Sequence, residues 1–277
     1  MLSKKLVSIL LDWNPFITMS KKLLSLILAA ACAGVVGTRA QEAATPTETP
    51  EYSVTVAPSF VSQYMFRGVR LGGASFQPYV EFDSSNWGLG VWSSFPFKAE
   101  DTVSDPELDV YGFYTVTIND SLSVVPGFTW YNYPHAVEGA YETTFEPSVA
   151  LNYTVAGVKL TPKLYYDLVL DGATYELTAA YALPLTAIGT ELDFTATAGT
   201  YLWKDSADAD PKVKNWGDYW QVGAAMPFKV TAKSTLTVGA AYVEGRNNYY
   251  KSGTDHKEEN SEACGRGVVT VTYAYTF

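Results

Sequence analysis

The residues of this 277-residue chain that could carry out a reaction are few and scattered. His135 and His256 each lie in a polar stretch between apolar runs, where a single imidazole is ordinarily solvated. Cys32 and Cys264 are far apart, which supplies neither a disulfide framework nor the paired thiols of a zinc site. No G-x-S-x-G frame presents any of the serines as a nucleophile. Asp205, Asp208 and Asp210 cluster closely enough to hold Ca²⁺ weakly, but the pattern reads first as a solvated acidic loop. The residues therefore predict no enzyme, no metal and no cofactor. A barrel hydrolase of the lipase or protease kind stays open as an alternative if His135 or His256 meets a serine or aspartate at a rim.

A more ordered chemistry comes from charges placed at alternate positions among apolar residues. Arg67, Glu81, Asp83, Glu107, Asp109, Glu146, Lys159, Lys163, Asp167, Glu176, Glu191 and Asp193 share one phase of a two-residue period. Successive side chains of a strand point to opposite faces, so these charges fall on one face and the apolar residues on the other. In Glu107 to Asn119, for example, Leu108, Val110, Tyr114, Val116 and Ile118 oppose Glu107, Asp109, Thr115, Thr117 and Asn119. The same division recurs in Phe76 to Asp83, Thr144 to Tyr153, Lys159 to Leu168, Glu191 to Ala196 and Val269 to Phe277.

Twelve such segments can be counted, near 52–67, 74–83, 86–97, 106–119, 121–133, 142–156, 157–170, 173–184, 190–203, 216–230, 233–244 and 264–277. Each matches the roughly 9–11 residues with which a tilted strand crosses a bilayer. Connections after even-numbered segments are tight, as at Ser84-Ser85, Asn119-Asp120, Ala156-Gly157, Ala187 to Gly189 and Thr231-Ala232. Most of the others are long and polar: Lys98 to Asp105, Pro134 to Tyr141, Lys204 to Asn215 and Gly245 to Ala263, with Asp171-Gly172 the short exception. An even strand count with short turns at one end and long loops at the other predicts an all-β, transmembrane, antiparallel up-and-down barrel of about twelve strands. Trp87, Phe95, Trp130, Tyr153, Tyr166, Trp220, Tyr242 and Tyr273 fall on the apolar face, as interfacial girdles require. A large soluble sandwich or lipocalin-like barrel would alternate too, but strand length and loop asymmetry disfavour it.

Composition agrees. Charged residues make up 17% of the chain, below the roughly 25% of an average soluble domain. The net charge of −10 argues against nucleic acid as a partner. Residues 19–40 read as a signal peptide: Lys21 and Lys22, then an apolar run, then Thr38-Arg39-Ala40 before Gln41. A lipoprotein signal ending at Cys32 is the rival reading. Residues 1–18 read as an upstream mis-start, and Gln41 to Glu51 as a flexible lead-in to a barrel domain over 52–277. Removing the five basic and one acidic residues of 1–40 leaves a charge of −14.

The stretch Ser62-Gln63-Tyr64-Met65-Phe66-Arg67-Gly68-Val69 resembles the opening of the TorF-type porins, an exported family of poorly known function. Trp87 to Trp92, Glu107 to Gly112 and the Tyr131-Asn132-Tyr133-Pro134 corner are similar to it as well. The resemblance covers the first half of the exported chain and implies an outer-membrane β-barrel porin, without a substrate or catalytic residues.

If the apolar face meets outer-membrane lipid, the charged face lines a lumen. Nine acidic residues against three basic ones then predict a channel for small polar solutes with a mild cation preference. The competing expectation is a filled interior, with Lys163 paired to Asp167 and Arg67 to Glu81 or Asp109, in a structural or adhesive barrel. Arg67 is expected at the outer end of the first strand, anchoring a loop or facing an anionic solute. The terminal Phe277, in phase with the apolar face, is the expected signal to the barrel-assembly machinery. The oligomeric state is left open.

Overall fold

The computed structural model describes residues 52–98, 106–136, 141–204, 212–251 and 257–277. The expected signal peptide, upstream start and lead-in lie outside these residues, as do His256 and the Asp205, Asp208 and Asp210 cluster.

Twelve antiparallel strands follow one another around the wall. They are β1 (Tyr52–Ala57, continuing as Ser59–Val61), β2 (Ser75–Phe76, continuing as Tyr79–Ser84), β3 (Trp87–Pro96), β4 (Glu107–Tyr114, continuing as Val116–Asn119), β5 (Leu122–Asn132) and β6 (Thr143–Val155). The second half comprises β7 (Val158–Asp167), β8 (Gly172–Leu185), β9 (Thr190–Lys204), β10 (Val213–Thr231), β11 (Ser234–Lys251) and β12 (Arg266–Thr276). Each strand pairs with its neighbour in sequence. β12 closes on β1 through Thr276↔Thr55, Tyr275↔Val56, Thr272↔Ser59 and Thr270↔Val61, so the wall has no free edge. Closure matters in lipid, where an unpaired N–H or C=O has no water to turn to.

Two strands break at prolines, which cannot donate to a ladder. At both breaks backbone bonds on the proline carbonyls keep the wall continuous: Tyr273 N–H donates to Pro58 O at 3.1 Å, and Ser93 N–H to Pro78 O at 3.1 Å.

The predicted alternation is what the wall uses. Leu89, Val91, Leu108, Trp130, Val149, Leu151, Leu164, Leu177, Phe194, Val222, Val238, Val269 and Val271 are exposed on the outside, and the charged phase points in. This inverts a soluble core. The only cluster of buried hydrophobic residues is the small group Met65, Val243 and Val268 among the described residues. No described helix is long and apolar enough to cross a membrane.

Two expected boundaries move. β11 runs on to Lys251, so Gly245, expected to open a long loop, lies within a strand paired with Tyr219 of β10. The first strand, expected to reach residue 67, ends at Val61. The chain then turns inward as a separate two-stranded hairpin, Tyr64–Phe66 and Val69–Gly72, before rejoining the wall at Ser75. Arg67 is therefore not on β1. It stands at the hairpin tip.

Candidate functional site

The inner hairpin turns on two residues, Arg67 at φ 48° and Gly68 at φ 80°, flanked by the pair Phe66↔Val69. Two successive positive φ values make the tight turn whose twist suits a two-residue hairpin, and glycine suits its second position. Gly68 has a second reason to be glycine. A Cβ there would stand 2.6 Å from Cα of Gly245 and 2.6 Å from Cβ of Tyr219, so the tip rests directly on the backbone of β11.

Arg67 carries the tip across to the far wall. Its Nη1 and Nη2 each donate to one oxygen of Glu146 on β6, both at 2.7 Å. The two side chains are 7% and 1% exposed. The guanidinium also lies 4.7, 4.6 and 5.6 Å from the ring centroids of Phe66, Tyr165 on β7 and Trp203 on β9. A forked pair of this kind is directional and strong, and aromatic faces suit a weakly hydrated guanidinium. The expected partners of Arg67, Glu81 and Asp109, are replaced by Glu146, because the hairpin moves the arginine away from the end of β1 into the lumen.

The rest of the hairpin is held with equal care. The Tyr64 hydroxyl donates to Glu107 Oε2 at 2.8 Å, and its ring tilts against Trp92 at 5.6 Å. Phe66 meets Tyr131 edge-on at 6.0 Å. On its other side, Val69 bridges to Ala263 and Arg70 N–H donates to Glu262 O at 3.0 Å.

The other predicted inward charges are found on the inner face. Tyrosine hydroxyls hold four of the carboxylates: Tyr111 on Glu81 at 2.7 Å, Tyr64 on Glu107, Tyr131 on Glu146 at 3.1 Å, and Tyr219 on Glu176 at 2.7 Å. Asp167 does not pair with Lys163. It accepts from Thr144 at 2.5 Å and from the backbone of Val169 and Leu170, stapling the turn after β7. Lys163 instead places its ammonium 4.5 Å from the Tyr165 ring, in register opposite Glu176. Asp109 is 7% exposed and its Oδ1 accepts no hydrogen bond. Nearer the short-turn end, Asp83, Lys159, Glu191 and Asp193 keep intermediate exposure.

The structure thus brings Arg67, Glu107, Asp109 and Glu146 together around the hairpin, while Lys159, Glu191 and Asp193 stand apart near the short turns. Sequence reasoning missed the inward tyrosines Tyr131, Tyr165, Tyr201 and Tyr219. For two of them a signal was available: Tyr165 shares the phase of Lys163 and Asp167, and Tyr201 that of Glu191 and Asp193, whereas no predicted inward charge on β5 or β10 marks Tyr131 or Tyr219. Among the described residues no group of three or more His, Cys, Asp or Glu is placed to hold a metal. His135 is exposed in the turn after β5. At the outer rim, Asp171 accepts from the Tyr166 hydroxyl at 2.7 Å and lies 3.5 Å from Lys204. Those contacts, the hydroxyl first, hold its carboxyl below the ordinary range.

A closed wall, apolar outside and charged within, defines a transmembrane β-barrel, here one with an internal hairpin. The chain belongs to the Gcw_chp family, described as bacterial protein of unknown function, whose model matches residues 41–277. No curated protein matches it. Among solved structures it is similar to the KdgM porin, with 10% identity over 81% of this chain and 99% of that one, at a TM-score of 0.49. The NanC porin has 11% identity over 80% of this chain and 98% of that one, at 0.47. The outer membrane protease OmpT from Escherichia coli has 10% identity over 84% and 99%, at 0.30. At these scores the likenesses carry no argument about function.

Proposed function

We propose that this chain is a porin-like channel of the bacterial outer membrane that passes small polar solutes by diffusion and mildly favours cations. The observation that carries the reading is the pairing of an exposed apolar exterior with charged, half-exposed side chains inside, at Asp83, Lys159, Glu191 and Asp193. A barrel serving only as an anchor or adhesin has no need of charged groups reached by water within it. The lumen's acidic excess favours cations, as rings of carboxylates do in cation channels. The TorF-type resemblance around Arg67 supports the same reading. The short turns then face the periplasm and the long connections the outside, as in other outer-membrane barrels. The reading assigns no catalytic residue to the chain.

Proteoliposome swelling tests it. Vesicles carrying the full chain, or a form in which residues 63–73 are replaced by an Asn-Gly turn, are moved into an isotonic pentose solution. Swelling by at least the hairpin-free form is expected. No swelling by either, with both barrels shown to be folded, contradicts the channel.

A further inference from the structure

We propose that the inner hairpin is the barrier of this lumen and that the Arg67–Glu146 ion pair is the latch that keeps it shut. The inference rests on the channel reading above.

The hairpin reaches almost the whole circumference. It leaves the wall between β1 and β2 and touches β3 at Trp92, β4 at Glu107, β5 at Tyr131, β6 at Glu146, β7 at Tyr165, β9 at Trp203, β10 at Tyr219 and β11 at Gly245. The segment before β12 closes its back through Glu262 and Ala263. An element touching so many strands at one level leaves no wide passage there. The burial of the ion pair supports this independently. Arg67 and Glu146 are 7% and 1% exposed, although both lie inside a barrel whose lower charges remain half-exposed. Water that filled the lumen at this level would wet them.

The attachment is that of a movable part. The hairpin pairs only with itself as a ladder, in a sheet separate from the barrel wall. Besides the short Val69–Ala263 bridge, its wall contacts among the described residues include side-chain bonds, ring contacts, the packing of Met65 with Val243 and Val268, and a seat of glycine on glycine. The wall closes beneath it without its help, since Val61 pairs directly with Ser75. Swinging it out therefore breaks no wall ladder. The strongest single attachment at the tip is the forked pair, and a buried ion is held in place by its partner because leaving it unpaired is costly.

Single-channel recording in planar bilayers tests this, using the full chain, Arg67→Ala, Glu146→Gln, the reversed pair R67E/E146R and the Asn-Gly replacement of residues 63–73. Heat-shifted migration and circular dichroism establish that each barrel is folded. The full chain is expected to open rarely and the hairpin-free form to stay open. Either single substitution is expected to raise the open-to-closed ratio on the order of a hundredfold, and the reversed pair to recover part of the closure. If the hairpin-free barrel matches the full chain in unitary conductance and open fraction, the barrier is overturned and the channel stands. If it opens while Arg67→Ala and Glu146→Gln behave as the full chain does, the latch is overturned. A folded hairpin-free barrel that never conducts overturns both this inference and the channel itself.

Discussion

At the scale of single residues, the buried carboxylates of the interior are held by hydroxyl donors, except Asp109, whose Oδ1 accepts no hydrogen bond. Each of Glu81, Glu107, Glu146 and Glu176 accepts from a tyrosine hydroxyl, and Glu146 also holds Arg67. Such groups spend their charge on local bonds. Glu191 and Asp193 stand half-exposed near the short turns and, on the channel reading, face the lumen. Glu191→Gln with Asp193→Asn is therefore expected to move the reversal potential in a KCl gradient toward zero, while Glu176→Gln moves it less. Equal shifts from both would show that the tyrosine-bound acids also set the potential. The inward charges were legible because parity alone places them. Their partners were not, because a phase says which face a side chain takes and nothing about which strand stands opposite. Asp167 shows this: Lys163 is near it in sequence and on the same face, yet its bonds go to Thr144 and to the turn.

At the scale of elements, the wall was readable and the hairpin was not. All twelve expected segments correspond to a wall strand with shifted ends, the first only as far as Val61, because an apolar exterior and a polar interior enforce a strict two-residue period. The first segment misled because alternation continues through Tyr64 and Phe66, which are strand residues of a different sheet. Its local signal was Arg67-Gly68 between Phe66 and Val69, the pattern of a two-residue turn. That turn gives an element-level prediction. Gly68→Ala places a methyl 2.6 Å from the β11 backbone at a φ of 80°, which the tip cannot absorb in place. The left-handed conformation alone costs about 1–2 kcal/mol for an L-residue with a side chain. Limited trypsinolysis reads the outcome: cleavage after Arg67 is expected to be slow in the full chain and fast in Gly68→Ala. Equal resistance would mean that the tip does not depend on its seat against Gly245. The terminal element carries a separate expectation. Phe277 is 63% exposed beyond β12. Deleting it is expected to lower the yield of barrel inserted in cells while leaving refolding in detergent unchanged.

At the scale of the whole molecule, low charge content and a large share of aromatics describe a wall that gives half its positions to lipid. The acids inside the barrel divide between those bound by tyrosine hydroxyls and those left half-exposed near the short turns. The proposed whole is a conduit barred at one level by a hairpin of its own chain. The most direct test is the current–voltage relation of the barrel with residues 63–73 replaced by an Asn-Gly turn, recorded in a planar bilayer under a KCl gradient. Steady conductance is expected, with a reversal potential displaced toward that of potassium. A barrel that is folded and inserted yet carries no current, or one whose reversal potential lies toward that of chloride, would contradict it.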